Sequence, residues 1–227
     1  MMKQNIAFLV FIFFLFACGS NEQNQPAAAK KEDAAATNTA PVKTILFFGN
    51  SLTAGYGLDV SEAFPALIQH KLDSLNLPYK VVNAGLSGET SAGGKNRIDW
   101  LLRNKIDMFV LELGANDGLR GIPVSETVAN LQEIIDRVKN KYPDAKLIMT
   151  GMQVPPNMGN TYASAFRGIF EKLATKNNMA LVPFVLEGVG GEADLNQADG
   201  IHPTAEGHHI VAENIWKVMQ PLLTEAN

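Results

Sequence analysis

A single cysteine, Cys18, is all the thiol chemistry that the 227 residues offer. With no second cysteine, an internal disulfide is excluded. Basic clusters are missing as well. The chain sets 19 Lys+Arg against 23 Asp+Glu, with no basic run long enough for a nucleic-acid face. Aromatic residues make up 8% and are scattered, so no base-stacking platform is expected either. The longest apolar run, "IAFLVFIFFLFA" from Ile6 to Ala17, has twelve residues. At about 1.5 Å per residue it is too short to cross a hydrocarbon core of about 30 Å.

What is present at the N-terminus is a different signal. Lys3 precedes that short apolar run, and a positive start before a short apolar core reads as a secretory signal peptide over residues 1–17. The run ends in "LFAC", residues 15–18, which resembles the lipobox of bacterial lipoproteins. The resemblance implies that Cys18 becomes a lipidated N-terminus and anchors the protein to a membrane of a bacterial cell envelope. Residues 18–41 contain no large apolar side chain. Such a segment cannot bury enough surface to offset its ordering entropy, so a flexible tether is expected. The folded domain then spans 42–227, a length that suits one well-buried domain.

From Lys43 onward, short β-rich runs alternate with longer helical patterns. The expected strands are "KTILFFG" (43–49), "YKVVNA" (79–84), "DMFVLELG" (107–114), "AKLIMTG" (145–151) and "ALVPFVL" (180–186). Near-continuous apolar runs suit strands covered on both faces. Pro183 puts the fifth at an edge. Ser61 and Ser125 are expected to cap two helices, a third covers about Thr161 to Lys176, and the last begins at Pro203. The alternation predicts an α/β fold with a parallel sheet and helices on both faces. Ligands in such sheets bind at the carboxyl ends of the strands. Those ends carry "GNSLTAGYG", "NAGLSGET", "LGANDG" and, after the fifth strand, a loop closing in "DGIHP".

The first of these places Ser51 in a glycine-rich turn straight after a buried strand. A phosphate cradle, a dinucleotide loop, a nucleophile and a plain turn all use such a pattern. Around Lys95 the first glycine of a P-loop is one place off, and Asn96 replaces the hydroxyl residue. Gly55-x-Gly57 is followed by Val60 where a dinucleotide fingerprint needs its third glycine. The nucleophile elbow G-x-S-x-G fails too, because Thr53 follows Leu52 where glycine belongs.

A nucleophile needs a base, an orienting acid and oxyanion donors. Four histidines are available. His70, His208 and His209 lie within helical patterns and read as helix residues. His202 stands in a loop ahead of the last helix, with Asp199 three residues before it.

On "FFGNSLTAGYG", "NAGLSGET", "LELGANDGLRG" and "DGIHP", the chain resembles the SGNH (GDSL-type) hydrolases over about Lys43 to Leu223. With "PPNMGNTYASAF" after the fourth strand, it is most similar to the bacterial thioesterase/lysophospholipase/arylesterase branch. The resemblance implies a three-layer α/β/α sandwich around a mostly parallel five-stranded sheet. It implies Ser51 as nucleophile, His202 as base and Asp199 as its orienting acid. The oxyanion hole would comprise the backbone N–H groups of Ser51 and Gly85 with the side-chain amide of Asn116. On the residues alone, Gly85 and Asn116 read equally as turn residues. The implied reaction hydrolyses a small acyl ester, thioester or lysophospholipid through an acyl-serine, with no metal or organic cofactor. An acetyl esterase acting on a glycan, and a binding protein that kept the fold, are the alternatives. Asn50 stands where the family usually has Asp. Its shape preserves the turn, and any role of the carboxylate's charge is left open.

Overall fold

The computed structural model describes residues 41–224. The signal peptide, Cys18 and nearly all of the tether read from the sequence lie outside the described residues. Five parallel strands form the central sheet: β1 (Lys43–Gly49), β2 (Tyr79–Gly85), β3 (Met108–Glu112), β4 (Lys146–Thr150) and β5 (Ala180–Val182), in the spatial order β2-β1-β3-β4-β5. All five expected strands are present. The fifth is an edge strand, and it stops at Val182 because Pro183 has no N–H to give to the ladder.

Among the described residues, seven α-helices, some of one turn only, accompany the strands: α1 (Ser51–Ala54), α2 (Phe64–Ser74), α3 (Ser91–Leu101), α4 (Ala115–Leu119), α5 (Val124–Lys141), α6 (Asn160–Asn177) and, after the last strand, α7 (Ala205–Thr224). One layer contains α3, α5 and α6, which pack side by side, while α2 and α7 pack together in the other. Adjacent residues of β1 serve the two layers in turn, because strand side chains alternate in direction. Phe47 meets Phe64 of α2 edge-on, with ring centroids 5.6 Å apart. Phe48 points the other way, with the Arg97 guanidinium of α3 4.6 Å from its ring centre. Both phenylalanines are wholly buried, each burial contributing about 1.5–3 kcal/mol.

Three helix starts differ from expectation. Ser61 caps nothing: Asp59 caps a short 3₁₀ turn, Val60–Glu62, and Glu62 reaches back to the Asp59 N–H. Ser125 lies inside the first turn of α5, which begins one residue earlier, after Pro123. Pro203 stands before α7 in an isolated bridge to Asn196, and that bridge delays the helix to Ala205. The sequence pattern also passed over α3, whose start "SAGG" lacks apolar spacing. Glycine at 94 suits the packing, since a Cβ would lie 2.4 Å from Leu113 Cδ1 and that side chain would have to shift.

The register sets the stage for the site. Gly49 pairs with Gly85 on one side and with Glu112 on the other. The carboxyl ends of β2, β1 and β3 therefore lie level, and the chain leaves all three toward one end of the sheet.

Candidate active site

Ser51 opens α1 directly from β1. Asn50 is the N-cap of that single turn, its Oδ1 accepting the Leu52 N–H at 2.9 Å. Gly55 ends the turn with φ 76°, a conformation that glycine takes without strain. The serine is thereby lifted to the edge of a cavity.

Ser51 Oγ lies 2.8 Å from His202 Nε2. On the other side of the ring, His202 Nδ1 lies 2.6 Å from Asp199 Oδ2. Asp199 Oδ1 accepts the backbone N–H groups of Ile201 and His202, each at 3.0 Å. The hydrogen bond from His202, followed by those two from the backbone, holds the Asp199 carboxyl down at about 2. It is thus an acceptor at any working pH, which places the imidazole proton on Nδ1 and leaves Nε2 to take the proton of Ser51.

The loop carrying this pair is clamped. Gln197 Nε2 donates to the carbonyls of Tyr56 and Pro203, and the Gln197 N–H donates to the His202 carbonyl at 2.7 Å. Tyr56 also lies against the imidazole, with ring centroids 4.6 Å apart. The structure thus brings together Ser51, His202 and Asp199, residues up to 151 positions apart.

Asn116, in the first turn of α4, lines the same cavity. One of its two amide hydrogens goes to the Glu89 carbonyl at 3.0 Å, which fixes the side chain and leaves the second as a donor. The turn behind it is anchored by Asp117, fully buried, which accepts the Ser91 N–H at 2.8 Å and the Ser91 hydroxyl at 2.5 Å. Glu89 is held in turn by the Arg97 fork, with Nε at 2.8 Å and Nη2 at 2.5 Å from its two carboxylate oxygens.

Gly85 requires a correction. Its N–H donates to Asn83 Oδ1 at 2.9 Å, and Gly85 is not among the residues lining the cavity. Its lack of a side chain answers to packing, since a Cβ would lie 2.2 Å from the Ala54 nitrogen. The backbone reaches the cavity three residues later, at Gly88, where φ is 80°. "NAGLSGET" contains both glycines. The second lies two residues before Thr90, the N-cap of α3, and that cap was the available sign that the chain turns there.

The cavity has a volume of about 600 Å³. Besides Ser51, Asn116 and His202, its lining includes Leu52, Leu119, Met152, Val154, Phe184 and Ile201. No group of three or more His, Cys, Asp or Glu side chains suited to a metal occurs among the described residues.

Of the other histidines, His208 has a structural task. It is 1% exposed, and its Nδ1 accepts the Phe64 N–H that opens α2, at 3.1 Å. Burial, reinforced by the His202 and His209 rings, pushes its pKa down to about 4. The unfolded chain takes up this proton from about pH 6.5 downward, whereas the fold resists it until near 4. The unfolded state therefore binds more protons across that window, and stability falls as pH drops through it. The full loss is about 3 kcal/mol. His208→Asn keeps an acceptor near the Nδ1 position and removes the titration. Melting curves between about pH 7 and 4.5 should show a shallower decline for this variant than for the wild type. Parallel declines would remove His208 from the acid sensitivity.

A family model described as the GDSL-like Lipase/Acylhydrolase family matches residues 47–210. The chain belongs to that family. Esterase TesA of Pseudomonas aeruginosa is 42% identical over 188 residues, covering 82% of this chain and 92% of its own. Thioesterase 1/protease 1/lysophospholipase L1 of Escherichia coli is 38% identical over 185 residues, covering 81% and 86%. Among solved structures, psychrotrophic esterase EstA from Pseudoalteromonas sp., inhibited by monoethylphosphonate, superposes with a TM-score of 0.76 at 32% identity. It covers 81% of this chain and 100% of its own. This GDSL-type chain is an ester-bond hydrolase.

Proposed function

We propose that this GDSL hydrolase cleaves acyl esters or thioesters of hydrophobic acids through an acyl-serine formed on Ser51. The observation that carries the reading is the unbroken chain Ser51 Oγ to His202 Nε2 to Asp199, at 2.8 and 2.6 Å, opening on a cavity with apolar walls. His202 takes the Ser51 proton as Oγ attacks the carbonyl carbon, and Asp199 stabilises the imidazolium that results. The negative oxygen is met by the Ser51 N–H, the second hydrogen of the Asn116 amide and the Gly88 N–H, which takes the part first assigned to Gly85. His202 then returns the proton to the departing alcohol or thiol. Water, deprotonated by the same ring, releases the acid and restores Ser51.

The apolar walls suit an acyl chain, and the names of the relatives, esterase and thioesterase/lysophospholipase, agree with such substrates. The test is a panel of p-nitrophenyl esters of increasing chain length, acyl-CoA, lysophosphatidylcholine and acetylated sugars, assayed on the soluble domain. Turnover should favour esters and thioesters with chains longer than acetyl. Preference for acetylated sugars would replace this reading with a carbohydrate esterase.

The same proposal places the enzyme on a bacterial envelope membrane through lipid on Cys18, supported by "LFAC" and the short apolar run before it. Cys18→Ser should move the protein from the membrane fraction to the soluble one. A variant that stays membrane-bound, or a wild type without an acyl mass shift, would overturn the anchor.

A further inference from the structure

Glu112 ends β3 and is 1% exposed. Burying a carboxyl this completely is costly unless hydrogen bonds compensate. Four groups provide them. Glu112 Oε1 accepts from Asn50 Nδ2 at 2.8 Å, while Oε2 takes the N–H groups of Asn50 (3.2 Å) and Thr53 (3.3 Å) and the Thr53 hydroxyl (2.8 Å). These partners flank Ser51 on both sides. Gly49 is part of the same arrangement, since a Cβ there would lie 2.0 Å from Thr53 Oγ1 and 2.6 Å from Glu112 Oε2.

The orientation of the Asn50 amide is set from its other end. Asn50 Oδ1 accepts the Leu52 N–H at 2.9 Å and lies 3.4 Å from Ser51 Oγ. The NH₂ must therefore face Glu112. Position 50 has to accept on one side and donate on the other, and an amide does both with no titrating proton. The aspartate usual in the family accepts from Leu52 but can donate to Glu112 only while it carries a proton.

We infer that Glu112 is a positioning residue for the Ser51 turn, and that Asn50 lets it act without a proton shared between two carboxyls. It touches neither substrate nor the reacting atoms and acts through Asn50 and Thr53. Asn50 is the lever because its one side chain contacts Glu112, the Leu52 N–H and the serine hydroxyl. The inference rests on Ser51 being the nucleophile of the proposed hydrolysis.

Among the described residues, no charged side chain of β1, β3 or α1 acts on Glu112. Burial pushes its carboxyl up to about 7, and its four hydrogen bonds pull the other way. The titratable groups reached through Asn50 are those of the Ser51–His202–Asp199 chain. The acid side of the profile would mix Glu112 with that chain and does not separate them. The alkaline side does. Two carboxyls facing each other across one hydrogen bond hold a proton between them and resist losing it. In Asn50→Asp, loss of that proton at high pH would set two charges against each other beneath the nucleophile.

The experiment is a set of pH–kcat profiles on p-nitrophenyl acyl esters for the wild type, Asn50→Asp, Glu112→Gln and the double variant. Asn50→Asp should lose kcat by about tenfold between neutral pH and about pH 9, with KM little changed. The wild type should hold within about twofold. Glu112→Gln turns an NH₂ toward donors it cannot satisfy and should lower kcat at every pH. The double variant restores one carboxylate and one amide with their places exchanged. It should recover most of the activity lost in Glu112→Gln and show no alkaline decline. A flat profile for Asn50→Asp, or a double variant no better than Glu112→Gln, would overturn the inference. Should Glu112→Gln not fold, the Asn50→Asp profile decides alone. Phosphonate labelling of Ser51 in the wild type is the separate control: if it fails, the proposed hydrolysis fails, and the positioning inference fails with it.

Discussion

Ser51→Ala is expected to lower kcat by about 10⁴-fold or more and to abolish the mass increase on treatment with an organophosphonate. The size of the loss follows from what the substitution removes and what it leaves. The oxygen that forms the bond to the acyl carbon is gone, so His202 has no hydroxyl to deprotonate. The oxyanion donors and the apolar cavity remain, and such a remnant still speeds hydrolysis over water by about 10³–10⁴. Folding should be almost untouched, because among the described residues the Ser51 hydroxyl hydrogen-bonds only His202 at 2.8 Å and Asn50 Oδ1 at 3.4 Å. Circular dichroism and melting temperature should match the wild type within a few degrees, a range of about 1 kcal/mol. Near-normal turnover, or continued labelling by the phosphonate, would mean that another residue carries the chemistry.

Asn116→Ala is expected to reduce kcat by about 10²–10³-fold, with KM within a few-fold. The amide hydrogen not given to Glu89 would have its greatest use when the carbonyl oxygen becomes negative, so its loss weighs on the transition state more than on substrate binding. The structure also assigns Asn116 a bond to the Glu89 carbonyl at 3.0 Å. Loss of that bond should cost about 1 kcal/mol of stability. The two roles separate by measurement. An oxyanion donor gives a deep loss of kcat with a small drop in melting temperature, whereas a turn residue gives the reverse. Asn116→Asp sharpens the comparison, since it keeps the shape of the side chain and puts an acceptor where a donor is needed. Turnover of Asn116→Ala within a few-fold of wild type would take the side chain out of the mechanism and leave the oxyanion to backbone N–H groups.

Local pattern made much of this enzyme legible. Apolar runs such as "TILFF" suit a strand covered on both faces, and each of the five runs holds a strand in the structure, the fifth only over Ala180–Val182. His202 could be singled out because three of the four histidines fall in helical patterns and one stands in a loop beside an aspartate, while Ser51 came from the resemblance of its motif to the family's. Helix starts were less legible. Ser61 and Ser125 have the right chemistry for a cap, yet Asp59 and Pro123 occupy the positions where the chain enters. A cap depends on the backbone angle at one residue, and several neighbours with suitable side chains compete for it.

The order of the elements and the parallel sheet were determined by the sequence by itself, through spacing within short windows, and the four motifs in order pointed to Ser51, Asp199 and His202, which the structure brings within hydrogen-bonding distance of one another. The tertiary structure decided what depends on two distant segments meeting. Gly85 and Gly88 are alike as letters, but one N–H is spent on Asn83 while the other glycine borders the cavity. Glu112 looks like the polar end of an apolar strand. Only the pairing of Gly49 with Glu112 brings it beneath Asn50 and Thr53, some sixty residues earlier. A hydrogen bond is set by distance and direction in space, and neither is written in the separation of residues along the chain.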